Sequence, residues 1–259
     1  MRDENSLREF EKLKRIIAQL RSPEGCPWDR EQTHKSLKPY LIEECYEVLQ
    51  AIDEGDDRKL CDELGDLLLQ IMLHAQIADE KKEYTIEDVI EGLCKKLIKR
   101  HPHVFGQTKV KNSAEVTHNW DIIKKEERGD GGSLLESIPE QLPALSYSQS
   151  LQRRVASTGF DWEKTEEVLD KLNEEVQELI NAKSNEEKER EIGDLIFTLV
   201  NIGRKMDINM EMALRETNRR FYKRYSYMEE KCRNQGNELK DLDLDEQNRL
   251  WEQAKKNGL

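Results

Sequence analysis

The chain has 259 residues, of which 37% are charged and 6% aromatic, and carries a formal net charge of −12. That length carries one large or two modest domains, with core enough for either. The acidic balance argues against a binder of nucleic-acid polymers or membrane surfaces, and no apolar run reaches the roughly 20 residues that cross a bilayer. The start, Met1-Arg2-Asp3-Glu4-Asn5, lacks the apolar stretch of a signal peptide. Five cysteines (Cys26, Cys45, Cys61, Cys94 and Cys232) show no C-x-x-C spacing, so reduced thiols and a cytoplasmic location are expected.

Apolar residues recur at helical spacing along the chain. Leu7, Phe10, Leu13, Ile16, Ile17 and Leu20 form a first stripe. Leu37, Leu41, Cys45, Val48, Leu49 and Ile52 form a second, and Leu60, Leu64, Leu67, Leu68, Ile71 and Met72 a third. A fourth, Ile86 to Ile98, opens on Thr85 as N-cap with Asp88 three residues on. Residues Arg128-Gly129-Asp130-Gly131-Gly132-Ser133 then break the pattern, with Pro139 and Pro143 close behind. Periodicity resumes near Leu145 and predicts helices over 165–183, 187–206, 209–232 and 243–256. No period-two strand is visible, so the fold class is all-α, with domains at 1–127 and 144–259 and a linker at 128–143.

The two halves repeat one another in order. Glu43-Glu44-x-x-Glu47 precedes Glu63-Leu64-Gly65-Asp66-Leu67, and Glu174-Glu175-x-x-Glu178 precedes Glu191-Ile192-Gly193-Asp194-Leu195. Cys26-Pro27-Trp28-Asp29 and Gly159-Phe160-Asp161-Trp162 stand before them. Lys96 with Arg100 and Arg220 with Arg224 stand after, followed by Trp120 with Lys124 and Trp251 with Lys255. This order points to a tandem duplication of one helical domain.

A lone E-E-x-x-E arises about once by chance in so acidic a chain. The repeated Glu-Leu/Ile-Gly-Asp-Leu segment in fixed order does not. Glu44 and Glu47 share one helix face, as do Glu63 and Asp66. The turn at Gly55-Asp56-Asp57, like that at Ser184-Asn185, lets two helices fold back so that four carboxylates converge. Carboxylates so close raise one another's pKa unless a cation sits between them. The pattern points to Mg²⁺, which keeps positions for water and phosphate oxygens. A metal so held fits phosphoanhydride hydrolysis. In that chemistry Glu174 is an outer-shell residue or general base, with Glu43 its counterpart. Arg220 and Arg224, four apart, suit phosphate oxygens. Trp120 and Trp251 suit either a core anchor or a base stacker, Trp28 and Trp162 suit packing, and His74 lies on an apolar face as a structural residue. His101 and His103 alone are too few ligands for Zn²⁺.

The segment from Cys26 to His34, both carboxylate sets and Arg100-His101-Pro102-His103-Val104-Phe105 resemble the MazG family of nucleoside triphosphate pyrophosphohydrolases, across about residues 6–256. The resemblance implies two tandem MazG-type domains, helix pairs completed into bundles by homodimerisation, and Mg²⁺-dependent hydrolysis of ribo- and deoxynucleoside triphosphates to monophosphate and pyrophosphate, with Mn²⁺ as a substitute and nucleotide house-cleaning as the role. Carried over, the second domain's metal ligands are Glu175, Glu178, Glu191 and Asp194. Its nucleotide contacts are Lys171, Arg220, Arg224 and Trp251, with Lys188, Arg190 and Lys255 as further candidates. In the first domain the ligands are Glu44, Glu47, Glu63 and Asp66, with Lys96, Arg100, Trp120 and Lys124 as partners. The first domain has Tyr40 where the second has Lys171. A pyrophosphatase selective for one pyrimidine deoxynucleotide and a non-catalytic helical scaffold are the competing readings.

Overall fold

The computed structural model describes residues 2–128 and 133–259, with the side chains of 2–5, 114, 118, 121, 124–126 and 128 outside that description. The described chain is helical with no strand, and it divides into two compact units at residues 128/129. The first unit contains α1 (Arg2–Leu20), α2 (Pro27–Glu31), α3 (Lys38–Glu54), α4 (Asp57–Glu80), α5 (Ile86–Arg100), α6 (Pro102–Phe105) and α7 (Ser113–Arg128). The second contains α8 (Ala144–Ala156), α9 (Thr165–Asn181), α10 (Asn185–Lys205), α11 (Met210–Asn234), a single 3-10 turn at Leu239–Asp241, and α12 (Leu244–Lys256).

Each unit is organised around one helix hairpin. In the first, α3 ends on Gly55 in the left-handed region (φ 67°), whose N–H returns to the Ala51 and Ile52 carbonyls. Asp56 then caps α4 by accepting from the Arg58 and Lys59 N–H groups. So short a reversal lays α3 against α4. In the second unit α9 and α10 are joined through Ser184, whose hydroxyl and Glu187 form a capping box. The Thr85–Asp88 capping box expected at the start of α5 is present.

The first unit's core gathers Ile17, Leu37, Met72, Leu73, Ala75, Ile77 and Ile86, with Phe10, Leu13, Leu20 and Leu69 packed around them. Arg21 reaches from the end of α1 to the Glu80 carboxylate at 2.8 Å and to the Gln32 carbonyl at 3.2 Å, so the Cys26–His34 segment is tied to the hairpin. In the second unit Met228, Cys232 and Leu239 pack with Leu242, Leu250 and Trp251, which fastens α12 to α11. Residues 133–143, read from the sequence as linker, pack on this unit. Ile138 is buried, and Arg154 donates to the Ser137 hydroxyl at 3.1 Å and the Leu134 carbonyl at 3.5 Å. Gly and Pro mark the break in periodicity but carry no information on what the following residues pack against.

Two buried glutamines on α8 set the position of its neighbours. Gln149 donates to the Ile208 carbonyl at 2.7 Å and accepts from the Met210 N–H at 3.1 Å, spanning the α10–α11 turn. Gln152 donates to the Phe197 carbonyl at 2.8 Å. The Gln149→Leu variant leaves two backbone groups unpaired and is expected to lose about 1–3 kcal/mol. Urea unfolding followed by far-UV dichroism measures it, and an unchanged midpoint contradicts this role.

Candidate metal and nucleotide site

The hairpins bring the acidic motifs together. In the first unit one carboxylate oxygen each from Glu44 (α3) and from Glu63 and Asp66 (α4) lie within 4.8 Å of one another. In the second the corresponding group is Glu175 and Glu178 (α9) with Glu191 (α10). Glu47 adjoins the first cluster, close enough to Glu63 to raise its pKa. Asp194 is exposed and lies outside the second trio.

The electrostatics show the strain expected of carboxylates on facing helices. Glu44 has its pKa raised, first by burial and then by the charges of Asp66, Glu47 and Glu63. Glu63 is raised by burial and by Glu47 and Asp66, against the pull of Lys59. Glu178 is raised by burial and by Glu175, Glu174 and Glu191, against the pull of Lys171. Glu175, only 4% exposed, has one carboxylate oxygen, Oε2, that is buried without a hydrogen-bond partner. An acceptor buried in that way is costly unless something binds it. Acceptor-only oxygens in a group this tight fit a hard divalent cation.

The basic residues are arranged differently in the two units. Lys171 stands one turn before Glu175 and its ammonium lies 2.9 Å from both Glu175 Oε1 and Glu174 Oε1. These two carboxylates hold its pKa well above the ordinary lysine value. In the first unit Tyr40 occupies that position, half-exposed, with Trp28 edge-on to it at 5.6 Å between ring centroids. Trp28 is 47% exposed, so it packs as a half-covered ring and not as a core anchor. Gln70, buried on α4, stands beside Glu44 and works against the rise in its pKa. Sequence reasoning passed it over, although it sits four residues after Asp66 and seven after Glu63, on their face of the helix. His74, one turn further along, stacks on His34 with their Nδ1 atoms 2.8 Å apart, which pins the Cys26–His34 segment to α4.

The arginines and tryptophans have partners of their own. Arg224 donates to the Leu259 carbonyl at 2.7 Å and lies over the Trp251 ring at 5.4 Å. Trp251 also packs against Phe221 and belongs to the α11–α12 core. Arg220 donates to the Thr217 hydroxyl at 3.0 Å and lies 3.5 Å from Glu216. Arg190 lies 3.5 Å from Glu191, Lys255 lies 2.7 Å from Glu252, and Lys188 is exposed. In the first unit Arg100 pairs with Glu127 at 2.6 Å, and Trp120 is half-buried against His101. Lys96 is exposed, and the Lys124 side chain lies outside the described residues.

A carboxylic acid with a raised native pKa stabilises the fold while protonated and loses that contribution as pH rises through the native pKa. Glu44→Gln is therefore expected to raise the melting temperature of EDTA-treated protein at pH 8 by about 2 °C or more. At pH 4.5, the ordinary glutamate value that Glu44 exceeds, the gain shrinks. Calorimetric melting at the two pH values checks this, and a loss of stability at pH 8 contradicts it.

Comparison with known proteins agrees with this geometry. The pattern of the MazG nucleotide pyrophosphohydrolase domain matches residues 32–105, and that of phosphoribosyl-ATP pyrophosphohydrolase matches residues 145–221. A Thermotoga maritima protein named nucleoside triphosphate pyrophosphohydrolase/pyrophosphatase MazG is 47% identical over 95% of each chain. The Escherichia coli K12 nucleoside triphosphate pyrophosphohydrolase is 40% identical over 96% of this chain and 98% of its own. A longer Bacillus subtilis protein, named uncharacterized protein YabN, is 47% identical over 95% of this chain and 52% of its own. With both hairpins carrying their carboxylates and nearly the whole length aligned, this chain belongs to the MazG family of nucleotide pyrophosphohydrolases.

Proposed function

We propose that this enzyme is a Mg²⁺-dependent hydrolase that converts ribo- and deoxynucleoside triphosphates to monophosphate and pyrophosphate. It works across a broad range of bases, as a cytoplasmic homodimer that clears the nucleotide pool. The observation that carries the reading is the pair of carboxylate clusters, in which burial and neighbouring carboxylates raise the pKa of Glu44 and of Glu178 and one of which holds a buried, unpartnered oxygen. Glu175, Glu178, Glu191 and Asp194 would hold the metal in the second unit, and Glu44, Glu47, Glu63 and Asp66 in the first, with Mn²⁺ as a substitute. When bound, the cation supplies positive charge to the phosphates and lowers the pKa of a water.

The chain's own residues account for the rest. A water oxygen bonds to one of the two phosphorus atoms of the α–β bridge, the bond from that phosphorus to the bridging oxygen breaks, and the monophosphate and pyrophosphate separate. Glu174, exposed beside Glu175, takes the proton from the attacking water as general base. Lys171, Lys188, Arg190, Arg220, Arg224 and Lys255 supply charge to the triphosphate, as Lys96, Arg100 and Lys124 do in the first unit. The Trp251 and Trp120 rings supply stacking that any base satisfies.

Glu175→Ala and Glu44→Ala are each expected to remove the activity of their own unit. Together they lower Mg²⁺-dependent turnover of ATP by roughly 100-fold or more. Chromatography of the products should give AMP and pyrophosphate. ADP with orthophosphate contradicts the reaction, and full activity in the double variant contradicts the metal assignment. A panel of triphosphates separates broad use of bases from selectivity for one pyrimidine deoxynucleotide.

Support for the dimer comes from matching apolar stripes. Leu64, Leu68 and Ile71 on α4 are 37–49% exposed, and Ile192, Ile196 and Leu199 repeat their spacing on α10 at 37–47%. A bundle with such a face open needs a partner, and a second copy of the chain supplies one. Sedimentation equilibrium is expected to give a dimer, which the Leu68→Glu/Ile196→Glu variant weakens. A monomer at all concentrations contradicts this part.

A further inference from the structure

The two clusters hold their deepest carboxylate by different means. In the second unit the Lys171 ammonium, from the same helix, sits 2.9 Å from Glu175 Oε1, while Oε2 is buried without a partner and Glu178 and Glu191 converge beside the same carboxylate. In the first unit Tyr40 takes the lysine's place, and the group beside Glu44 that favours its charged form is the neutral side chain of Gln70 on the facing helix. The second cluster therefore contains a full positive charge before any metal arrives. Among the described residues no cation pairs directly with Glu44, Glu63 or Asp66, Lys59 being paired with Glu54 at 2.9 Å, so a divalent ion entering the first cluster displaces none, whereas one entering the second meets Lys171 at close range, and like charges only a few ångströms apart repel strongly in a partly dry site. Phosphate oxygens are the natural alternative partner for that ammonium.

We infer that Lys171 is the resident counter-ion of the second cluster and couples metal loading to the nucleotide. Without nucleotide it holds Glu175 and weakens divalent-cation binding. With a triphosphate present it transfers to phosphate oxygens and frees Glu175 for the metal. The first cluster, lacking such a lysine, takes metal independently of the nucleotide. This rests on the clusters being metal sites. No covalent step is involved, only an exchange of ion-pair partners.

The test uses the full-length chain with the first cluster disabled as Glu44→Gln/Glu63→Gln, titrated calorimetrically with Mn²⁺ at pH 8. Adding Lys171→Met is expected to tighten Mn²⁺ binding by about tenfold or more. Lys171→Arg, which keeps the charge, stays within about threefold of the parent, a factor smaller than the charge effect. Saturating α,β-methylene-ATP, with the metal–analogue complex in solution accounted for, tightens Mn²⁺ binding to the parent far more than to Lys171→Met. Circular dichroism verifies that each chain is folded, and Lys171→Gln replaces the methionine variant if that one is not. Equal or weaker Mn²⁺ binding on loss of the charge overturns the inference while leaving the metal sites standing. No Mn²⁺ binding by any folded chain overturns both.

Discussion

Mutual repulsion of carboxylates across a helix hairpin is the constraint on which the rest of this protein depends. Glu44 on α3 faces Glu63 and Asp66 on α4, and Glu175 and Glu178 on α9 face Glu191 on α10. A globular chain has no structural reason to bring acidic side chains together at the edge of a core. The cost appears in the raised pKa values of Glu44, Glu63 and Glu178 and in the unpartnered Glu175 oxygen. The same features that oppose the metal-free fold suit the two clusters to a hard divalent cation.

The scaffold answers that constraint with rigidity close to the carboxylates. The left-handed Gly55 and the Asp56 cap leave α3 and α4 little freedom to separate, and the Ser184 capping box starts α10 in the same way. Arg21 and the His34–His74 pair tie the segment before α3 to the C-terminal half of α4. In the second unit the two α8 glutamines do comparable work on α10 and the turn that follows it.

What was legible in the sequence follows from the range of the interactions involved. Contacts between residues three or four apart on one helix could be read directly. The capping box at Thr85 and the shared faces of the acidic pairs are of this kind. The stripe from Leu41 to Ile52 lies on α3, with Leu37 at its N-cap, and the 86–98 stripe lies on α5, because their period is that of the helix. The ends of α4 and α11 extend beyond the stretches that marked them, to Glu80 through the buried Leu73, Ile77 and Ala78 and to Asn234 through the polar Arg233.

Contacts between distant residues were less accessible. Gln70 lies on the marked face of α4 but escaped notice because an amide carries no charge. The pairing of Arg224 with Leu259, and of Arg100 with Glu127, spans 35 and 27 residues and leaves no local signature. The central claim is that both hairpins are metal sites, and anomalous diffraction from Mn²⁺-soaked crystals tests it most directly. The account predicts one manganese peak or more among Glu44, Glu63 and Asp66 in the first unit, and among Glu175, Glu178 and Glu191 in the second when a nonhydrolysable triphosphate is present. Ordered carboxylates with no peak in either hairpin would contradict it.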